Sequence, residues 1–311
     1  MKPHVVSIVG PTAVGKSELA VRAALRYNGE VISGDSMQVY RTMDIGTAKV
    51  TKDEMLGVPH HMIDIKNPDD SFSAAEFQEC TASLIEDITA RNRLPIMVGG
   101  TGLYIQAALY GFNFPSKARN ESIVEKLEKE YEQHGAQALH ERLKLIDPLQ
   151  ADKIHPNNIR RVIRALEVYE TTGQTLSENH EQQPSVSPYS PHFIGLEMER
   201  EVLYERINYR VDLMIQQGLE DEVRALYDAG FEHSQSMKAI GYKEWIPYFK
   251  GEYDFNRAVE LLKRNSRRYA KRQFTYFKNK MNVSWYNVDP MLKEDEFEKI
   301  LEDLAGMLEE T

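Results

Sequence analysis

Residues 10–17 read Gly-Pro-Thr-Ala-Val-Gly-Lys-Ser, a complete phosphate-binding loop of the form G-x-x-x-x-G-K-[ST]. Its two glycines, Gly10 and Gly15, let the backbone curl so that successive N–H groups point at one spot. Lys16 adds a positive charge, and the hydroxyl of Ser17 is of the kind that binds Mg²⁺ in such loops. The stretch therefore predicts a site for phosphate groups.

The sequence on either side of this loop supports the prediction. Residues 4–9 are apolar enough for a short buried strand, and residues 18–25 have the composition of a helix. A helix that begins at the loop directs its free N–H groups and the positive end of its dipole at a bound anion. The loop alone does not decide whether the bound phosphates belong to a nucleotide.

Strands and helices alternate through the first third of the chain. Further strands are predicted at 30–33, 61–64 and 94–98, and a helix with a capping box at Ser73 is predicted to reach about Arg91. Alternation of this kind predicts an α/β fold, here a P-loop NTPase-like parallel sheet core with helices on both faces.

Three loops should leave strands at the carboxyl edge of this sheet and converge on one site, namely 10–17, 34–38 and 99–102. Asp35, in the second loop, is open to three interpretations: a Mg²⁺ ligand, a general base or a solvated turn residue. A P-loop NTPase normally carries a further Asp for Mg²⁺ at the end of an apolar strand. The strand at 94–98 ends instead in Gly-Gly-Thr-Gly, which counts against a nucleotide hydrolase.

The composition changes in the middle of the chain. Residues 120–145 are charged and predicted helical, a second helix is predicted at 157–172, and the Ser-, Pro- and Gln-rich stretch 177–191 is predicted to be a loop. Strand character returns at 193–196 and again at 283–286. We therefore predict a catalytic core of residues 1–115 and 191–311, interrupted by a mainly helical insertion domain of residues 116–190.

Bulk composition sets weaker limits. The 38 Lys and Arg residues against 48 Asp and Glu residues give a net charge of −10, which argues weakly against a nucleic-acid partner. The single cysteine, Cys80, excludes an internal disulfide and a cysteine-based zinc site. The N-terminus lacks a signal-peptide pattern and no apolar run approaches the roughly 20 residues that cross a membrane, so we expect a cytoplasmic protein without a membrane partner.

One segment near the C-terminus has the opposite charge balance. Residues 257–280 contain nine Lys and Arg residues against one acid. Charge runs are usually solvated helix faces. Basic residues beside aromatic ones also fit a helix that contacts an RNA backbone and stacks on a base, and the segment alone leaves both interpretations open. Its four aromatic residues are Tyr269, Phe274, Tyr276 and Phe277.

Six segments that span nearly the whole chain match one family in the family's order. They are the phosphate loop at 10–17, Asp-Ser-Met-Gln-Val-Tyr at 35–40, Val-Gly-Gly-Thr-Gly-Leu-Tyr at 98–104, His-Pro-Asn-Asn-Ile-Arg-Arg-Val-Ile-Arg-Ala-Leu-Glu-Val at 155–168, Met-Lys-Ala-Ile-Gly-Tyr at 237–242 and Lys-Arg-Gln-Phe-Thr-Tyr-Phe at 271–277. Together they resemble the tRNA dimethylallyltransferase (isopentenyltransferase) family of bacterial type. The joint match is far more specific than any one segment beyond the phosphate loop.

The resemblance implies a reaction and its partners. A dimethylallyl group would pass from dimethylallyl diphosphate to the exocyclic N6 amine of adenosine 37, just 3′ of the anticodon in tRNA, with release of diphosphate. The partner is then the tRNA anticodon stem-loop, the cofactor is Mg²⁺ with Ser17 as its protein ligand, and we expect a monomer. The loop would hold diphosphate rather than ATP, through Gly10, Pro11, Thr12, Ala13, Val14, Gly15, Lys16 and Ser17.

The resemblance also implies three catalytic side chains. Asp35 matches the general base that takes a proton from the weakly nucleophilic adenine amine. Arg210 matches an arginine that stabilises the charge of the departing diphosphate, and its alternative interpretation is a solvated helix residue. Thr101 matches a threonine that contacts the adenine amine, and its alternative is a plain helix N-cap.

The family's tRNA contacts fall on several stretches of this chain. A base in a folded anticodon loop must be turned out to reach a buried carboxylate. The acidic net charge is tolerable if positive charge is concentrated where phosphate binds. The implied tRNA-binding residues are Asp35, Ser36, Met37, Gln38, Thr101, Ile159, Arg160, Arg161, Val162, Ile163, Met237, Lys238, Ala239, Ile240, Gly241, Tyr242, Lys243, Lys271, Arg272, Gln273, Phe274, Thr275, Tyr276, Phe277 and Lys278.

Three other functions share some of these motifs. A small-molecule or nucleoside kinase could use the phosphate loop and Asp35, but it has no use for the basic residues 271–278. A non-catalytic RNA-binding module is disfavoured by the intact Lys16 and Ser17. An adenylate-type isopentenyltransferase, which prenylates free AMP, would need neither the helical insertion nor the basic segment.

Overall fold

The computed structural model describes residues 2–114 and 120–309. Its contacts divide the chain into two compact units, one formed by Met1–Leu109 with Ser187–Thr311 and the other by Tyr110–Val186. Of the two predicted boundaries, the one between residues 115 and 116 lies outside the described residues, and the one between 190 and 191 lies close to the observed division. Within the described residues, none of the helices combines the length and apolarity needed to cross a bilayer.

The first unit is built on a parallel sheet. Its strands in the described residues are β1 (His4–Val9), β2 (Gly29–Ser33), β3 (His60–His61), β4 (Leu94–Gly99), β5 (Ser190–Glu197) and β6 (Ser284–Asn287). They form one six-stranded sheet in the order β3-β2-β4-β1-β5-β6, and all neighbours run parallel. The predicted α/β class with a parallel sheet is confirmed.

Helices surround this sheet and build the second unit. In the first part of the chain they are α1 (Lys16–Arg26), α2 (Lys52–Met55), α3 (Ala74–Ala90) and α4 (Gly102–Tyr110). The second unit contains α5 (Glu121–Ile146), α6 (Pro148–Ala151), α7 (Ile159–Thr172) and α8 (Leu176–Glu181). The first unit resumes with α9 (Arg200–Gln216), α10 (Leu219–Asp228), α11 (Ile246–Phe249), α12 (Phe255–Lys280) and α13 (Lys293–Glu309).

An apolar core packs around the helix that follows the phosphate loop. The central strands β1 and β4 are almost wholly buried, as their runs of apolar residues predict. Leu19 of α1, Ile96 of β4, Ile194 of β5 and Phe297 of α13 belong to the same buried cluster. Burial of this apolar surface anchors α1, so the loop that precedes α1 is held between two rigid elements.

Two local predictions in the first unit need correction, because the strand is shorter than predicted and the capping box is incomplete. The strand predicted at 61–64 is only two residues long, because Met62 (φ 63°) and Asp64 (φ 56°) leave the extended region. The predicted capping box of α3 is half formed. Ser73 accepts from the backbone N–H of Glu76 at 3.2 Å, but the Glu76 carboxylate pairs with Lys66 at 2.5 Å rather than with the N-cap.

The second unit is helical, and two of its predicted elements need correction. The helix predicted at 120–145 is interrupted at Gly135, which has φ 78° and ψ 174°. The stretch 177–191, predicted to be a loop, contains most of α8, which starts with a complete capping box between Thr175 and Glu178. The unit has its own buried core, which includes Leu127, Leu139, Leu143, Val162 and Leu166.

Candidate active site

The carboxyl ends of β1, β2 and β4 meet at one pocket, as the three predicted loops require. Each of the loops contributes lining residues, and α9, α12 and residues between 47 and 63 contribute the others. The convergence of the loops at 10–17, 34–38 and 99–102 is therefore confirmed. The lining includes Thr12, Lys16 and Ser17 from the first loop, Asp35 and Gln38 from the second, Gly99 and Gly100 from the third, Arg210 from α9, and Tyr269 and Gln273 from α12.

The phosphate loop has the geometry of an anion site. Gly10, Ala13 and Gly15 adopt positive φ angles of 140°, 67° and 108°, which curl the backbone, and Ala13 does so against the usual preference of a non-glycine residue. Gly15 caps α1 without a side-chain hydrogen bond, so N–H groups of the first turn remain available to a ligand. The hydroxyl-bearing Ser17 is exposed in that turn.

Two cationic side chains, Lys16 and Arg210, lie close together at the phosphate loop. Lys16 Nζ donates to the backbone carbonyl of Pro11 at 2.6 Å, and an Arg210 guanidinium nitrogen donates to the Thr12 hydroxyl at 3.4 Å. Burial and the nearby charge of Arg210 lower the pKa of Lys16 to about 7, although Asp35 opposes this shift. Burial also lowers the pKa of Arg210. A bound anion would relieve this repulsion, so the site favours a highly charged small ligand.

Asp35 is held with its carboxylate facing the same pocket. One carboxylate oxygen accepts from the backbone N–H of Met37 at 2.8 Å, which fixes the side chain in a tight turn. Burial raises the pKa of Asp35, while hydrogen bonding from Met37 and Gln38 and the charges of Lys16 and Arg210 act in the opposite direction. The carboxylate of Asp35 is therefore fixed in position, and its pKa is higher than that of an exposed aspartate. Both properties suit a general base.

Helix α12 packs tightly on the Gly-Gly-Thr-Gly segment. A Cβ on Gly100 would lie 1.8 Å from the Gln273 amide nitrogen, and one on Gly102 would lie 2.2 Å from the ring of Tyr276. The glycines are therefore needed for close approach of α12 to the loop after β4. Gln273 in turn accepts from the backbone N–H of Thr12 at 2.9 Å, so α12 also supports the phosphate loop.

Thr101 connects the second and third loops. Its hydroxyl accepts from the backbone N–H of Ser36 at 3.2 Å and donates to the Ser36 hydroxyl at 3.4 Å. The side chain therefore lies beside the Asp35 turn, and its positioning role stays a prediction. Burial and the charge of Asp35 raise the pKa of the adjoining Tyr269 to about 12, which keeps its phenol protonated at neutral pH.

Two cavities adjoin the central pocket, which has a volume of about 80 Å³. One of about 260 Å³ has a largely apolar lining that includes Met37, Met214 and Ile240, with Asp35 and Arg272 also contributing. The other, of about 690 Å³, lies along the phosphate loop and α9. Arg210 and Ala48 line all three spaces.

The IPP transferase family model matches residues 38–280. The chain belongs to this family. It is similar to the tRNA dimethylallyltransferase of Oceanobacillus iheyensis, with 59% identity over 310 residues that cover 100% of this chain and 99% of that protein. The relative from Bacillus pumilus, which has the same name, is 54% identical over 99% of this chain and 97% of its own length.

Solved structures agree with family membership. The full-length tRNA isopentenylpyrophosphate transferase of Bacillus halodurans is 51% identical, with a TM-score of 0.75 and coverage of 100% of this chain and 98% of that chain. Crystallographic snapshots of a eukaryotic dimethylallyltransferase acting on tRNA give a TM-score of 0.80 at 30% identity, covering 94% of this chain and 76% of that chain. The P-loop-like core is thus a property of this IPP transferase family fold.

The family-implied tRNA residues divide into exposed and buried groups. Buried side chains contribute to packing, whereas exposed side chains face solvent. The exposed group contains Arg160, Arg161, Lys238, Lys243, Lys271, Arg272, Thr275 and Lys278. Asp35, Ser36, Met37, Gln38, Thr101, Ile159, Ala239, Ile240, Phe274 and Tyr276 are half-buried, whereas Val162, Ile163, Met237, Gly241, Tyr242, Gln273 and Phe277 are buried.

The aromatic residues of α12 are largely engaged within the protein. Phe274 packs edge-on against Trp285, with ring centroids 5.0 Å apart, and Lys278 lies 5.1 Å above the Phe274 ring. The Tyr276 hydroxyl donates to Gln106 at 2.7 Å. Tyr269 is the aromatic residue of this helix that lines both the central pocket and the 260 Å³ cavity.

The sequence motifs do not assign Tyr269 or Arg206 to the site. Tyr269 precedes Gln273 by one helical turn on α12, and Arg206 precedes Arg210 by one turn on α9, so helical spacing was the available signal. Arg206 donates to the Ala13 carbonyl at 3.1 Å and lines the 690 Å³ cavity. Both residues belong to the walls of the site.

The donor set around Ser17 fits a Mg²⁺ ion held mainly by its substrate. Mg²⁺ usually keeps several water ligands and binds one or two protein oxygens together with phosphate oxygens. Ser17, Ser33, Asp35 and Gln38 bring side-chain oxygens to the central pocket. Among the described residues, no group of three or more His, Cys, Asp or Glu side chains is placed to hold a metal by itself.

Proposed function

We propose that this chain transfers the dimethylallyl group of dimethylallyl diphosphate to N6 of adenosine 37 in tRNA and releases diphosphate. Its substrate would be the anticodon stem-loop, on which it would act as a monomer. The observation that carries the proposal is that Lys16, Arg210 and Asp35 share one small pocket between two larger cavities. Family membership and the relatives named tRNA dimethylallyltransferase support the same reaction.

The phosphate loop and its cations would serve the donor. Free N–H groups at the start of α1, with Lys16 and Arg210, would bind the diphosphate and stabilise the charge that it gains as the allylic C–O bond breaks. Because Lys16 and Arg210 repel each other without an anion, they favour the additional negative charge that diphosphate gains when it leaves. Mg²⁺, bound through Ser17 and diphosphate oxygens, would add a further positive charge at the leaving group.

Asp35 would serve the acceptor. The adenine amine is a poor nucleophile because its lone pair is delocalised into the ring, so removal of its proton assists attack. N6 forms a bond to C1 of the allyl group, the C1–O bond breaks with its electron pair going to diphosphate, and Asp35 takes the N6 proton. Thr101, beside the Asp35 turn, would orient the amine through its hydroxyl.

The two larger cavities would receive the two substrates from different sides of Asp35 and Lys16. The 690 Å³ cavity is lined by the phosphate loop and by Arg206 and Arg210, so its charge matches diphosphate. The 260 Å³ cavity is mostly apolar, and its lining includes Arg272, which is exposed on the basic helix α12. An unstacked base with its phosphate backbone outside matches that combination.

An incorporation assay tests the proposal directly. Radiolabelled dimethylallyl diphosphate, Mg²⁺ and unmodified tRNA are incubated with the chain, with AMP and ATP as parallel acceptors. Label should enter unmodified tRNA, and no label should enter a tRNA in which adenosine 37 is replaced by guanosine. Label in AMP alone would favour the adenylate-type enzyme, and tight ATP binding without label in tRNA would favour a kinase.

A further inference from the structure

One carboxylate outside the reaction pocket accepts an unusual number of hydrogen bonds. Glu222, on α10, accepts from the backbone N–H groups of three consecutive residues: Asp44 at 2.9 Å, Ile45 at 2.8 Å and Gly46 at 3.0 Å. The Tyr242 hydroxyl donates to the same carboxylate at 2.6 Å. Hydrogen bonds to a charged acceptor are about twice as strong as neutral ones, so Glu222 fixes this short stretch of loop firmly.

The segment around Tyr242 is packed onto the same loop. A Cβ on Gly46 would lie 2.5 Å from the ring of Tyr242, which is fully buried, and one on Gly241 would lie 2.9 Å from the Gly46 carbonyl oxygen. Gly241 has φ 104°, a conformation that other residues rarely adopt. The Met-Lys-Ala-Ile-Gly-Tyr segment at 237–242 therefore has a packing role against residues 44–46 in addition to any surface role of its lysine.

The loop held by Glu222 leads directly to the reaction pocket. Gly46, Thr47 and Ala48 line the 260 Å³ cavity, and Thr47 and Ala48 also line the central pocket. The carbonyl groups of Thr47 and Ala48 accept from the Gln38 side-chain amide at 3.4 Å and 3.3 Å. The oxygen of the same Gln38 side-chain amide accepts from the Ser33 hydroxyl at 2.9 Å.

This series of contacts ends at Asp35, the proposed general base. Gln38 follows Met37 in the turn that presents Asp35, and Met37 donates its backbone N–H to the Asp35 carboxylate at 2.8 Å. Ser33 also accepts from the Asp35 backbone N–H at 3.4 Å. A displaced loop would release the Gln38 amide and loosen the turn that aims Asp35.

We infer that Glu222 is a positioning residue for the transfer reaction proposed above, acting with Tyr242 through the loop 44–48. It does not contact the reacting atoms. Its carboxylate holds the wall of the acceptor cavity and, through Gln38, the orientation of Asp35. A carboxylate is required because the three backbone groups and the tyrosine all donate, whereas the amide of glutamine would turn an NH₂ group toward some of them.

Glu222→Gln in the full-length chain tests this role. We expect kcat/KM for tRNA to fall about 10²-fold, as a displacement of about 1 Å in a reaction geometry can produce, while the Kd for inorganic diphosphate changes less than about twofold. Tyr242→Phe removes one of the four hydrogen bonds and should lower kcat/KM about tenfold. Asp221→Asn is the matched control, because Asp221 is the exposed acid next to Glu222 on α10.

The outcomes separate this role from fold stability and from the transfer reaction itself. Wild-type kcat/KM in a folded Glu222→Gln or Tyr242→Phe variant would overturn the inference. Equal losses of diphosphate affinity and tRNA turnover would also overturn it, because general unfolding affects both. If Glu222→Gln does not fold, the kcat/KM and diphosphate affinity of Tyr242→Phe test the inference on their own. Absence of transfer by the wild-type chain would refute the proposed function instead.

Discussion

The cations of the phosphate loop and those of helix α12 are placed in opposite surroundings. Lys16 and Arg210 are partly buried, close to each other and to Asp35, and burial lowers the pKa of both. Arg268, Lys271 and Arg272 are exposed along one helix. Charges in a low dielectric interact strongly and at fixed geometry, whereas exposed charges act over a distance and are screened by salt.

The difference indicates two kinds of anion recognition in one molecule. The buried pair suits a compact ligand whose charge changes during the reaction, because its effect depends on exact placement. The exposed set suits a long polyanion, whose binding depends on the number of phosphates neutralised and therefore on salt. Substitutions in the two regions should produce different defects, and the four predictions that follow test that separation.

The largest effect is expected at Asp35, which lies between the two regions. Asp35→Asn keeps the size of the side chain and its acceptor for the Met37 N–H but removes the base. We expect kcat to fall by about 10²- to 10⁴-fold, with the affinities for dimethylallyl diphosphate and tRNA largely retained. Single-turnover transfer measures the chemical step, and near-wild-type rates would refute the assignment of Asp35 as the base.

The next effect is expected at Lys16. Lys16→Ala removes a charge-assisted contact to the leaving diphosphate, so its Kd for dimethylallyl diphosphate should rise about 10- to 100-fold. Its affinity for tRNA should stay close to that of the wild type. Titration of each substrate separately makes the comparison. Equal losses for both substrates would contradict the division between the two regions.

Local chemistry made much of the core predictable. The strand at 4–9, the phosphate loop and α1 follow from an apolar run, two glycines and a helix start that are adjacent in sequence. The meeting of Asp35 and Thr101 was predictable from parallel strands alone, because their loops must leave the sheet at the same edge. The detailed contact through Ser36 required the structure.

Contacts between distant segments were not predictable from the residues. Gln273 lies 261 positions from Thr12, and its hydrogen bond to that loop depends on how α12 packs. The hydrogen bonds of Glu222 to residues 44–46 likewise join positions 176 to 178 apart in sequence. Composition and local capping gave different predictions at 177–191. The Ser-, Pro- and Gln-rich composition predicts a loop, whereas the capping box at Thr175 starts helix α8.

A smaller effect is expected on α12. Replacing Arg268, Lys271 and Arg272 by Glu should weaken tRNA binding about 10- to 30-fold at moderate salt and make its dependence on salt concentration less steep. The matched control is Arg257→Glu, an exposed residue of the same helix whose partner is Glu260. Binding measured across a salt series gives the slope. A slope that equals the wild-type value would mean that this face of α12 does not contact RNA.

The smallest effect is a proton taken up when the donor binds. Because the pKa of Lys16 is about 7 in the free protein, the amine is mostly neutral at pH 8 and mostly charged at pH 6. Diphosphate should raise this pKa, so binding at pH 8 should take up close to one proton, whereas binding at pH 6 should draw almost none from Lys16. Calorimetry in buffers of different ionisation enthalpy counts the protons. Lys16→Arg stays charged at both pH values, so the proton count measured with this variant is the contribution of the ligand itself. Identical counts for the two proteins at pH 8 would mean that Lys16 is already charged in the free site, and the contrast with the exposed cations of α12 would then rest on geometry alone.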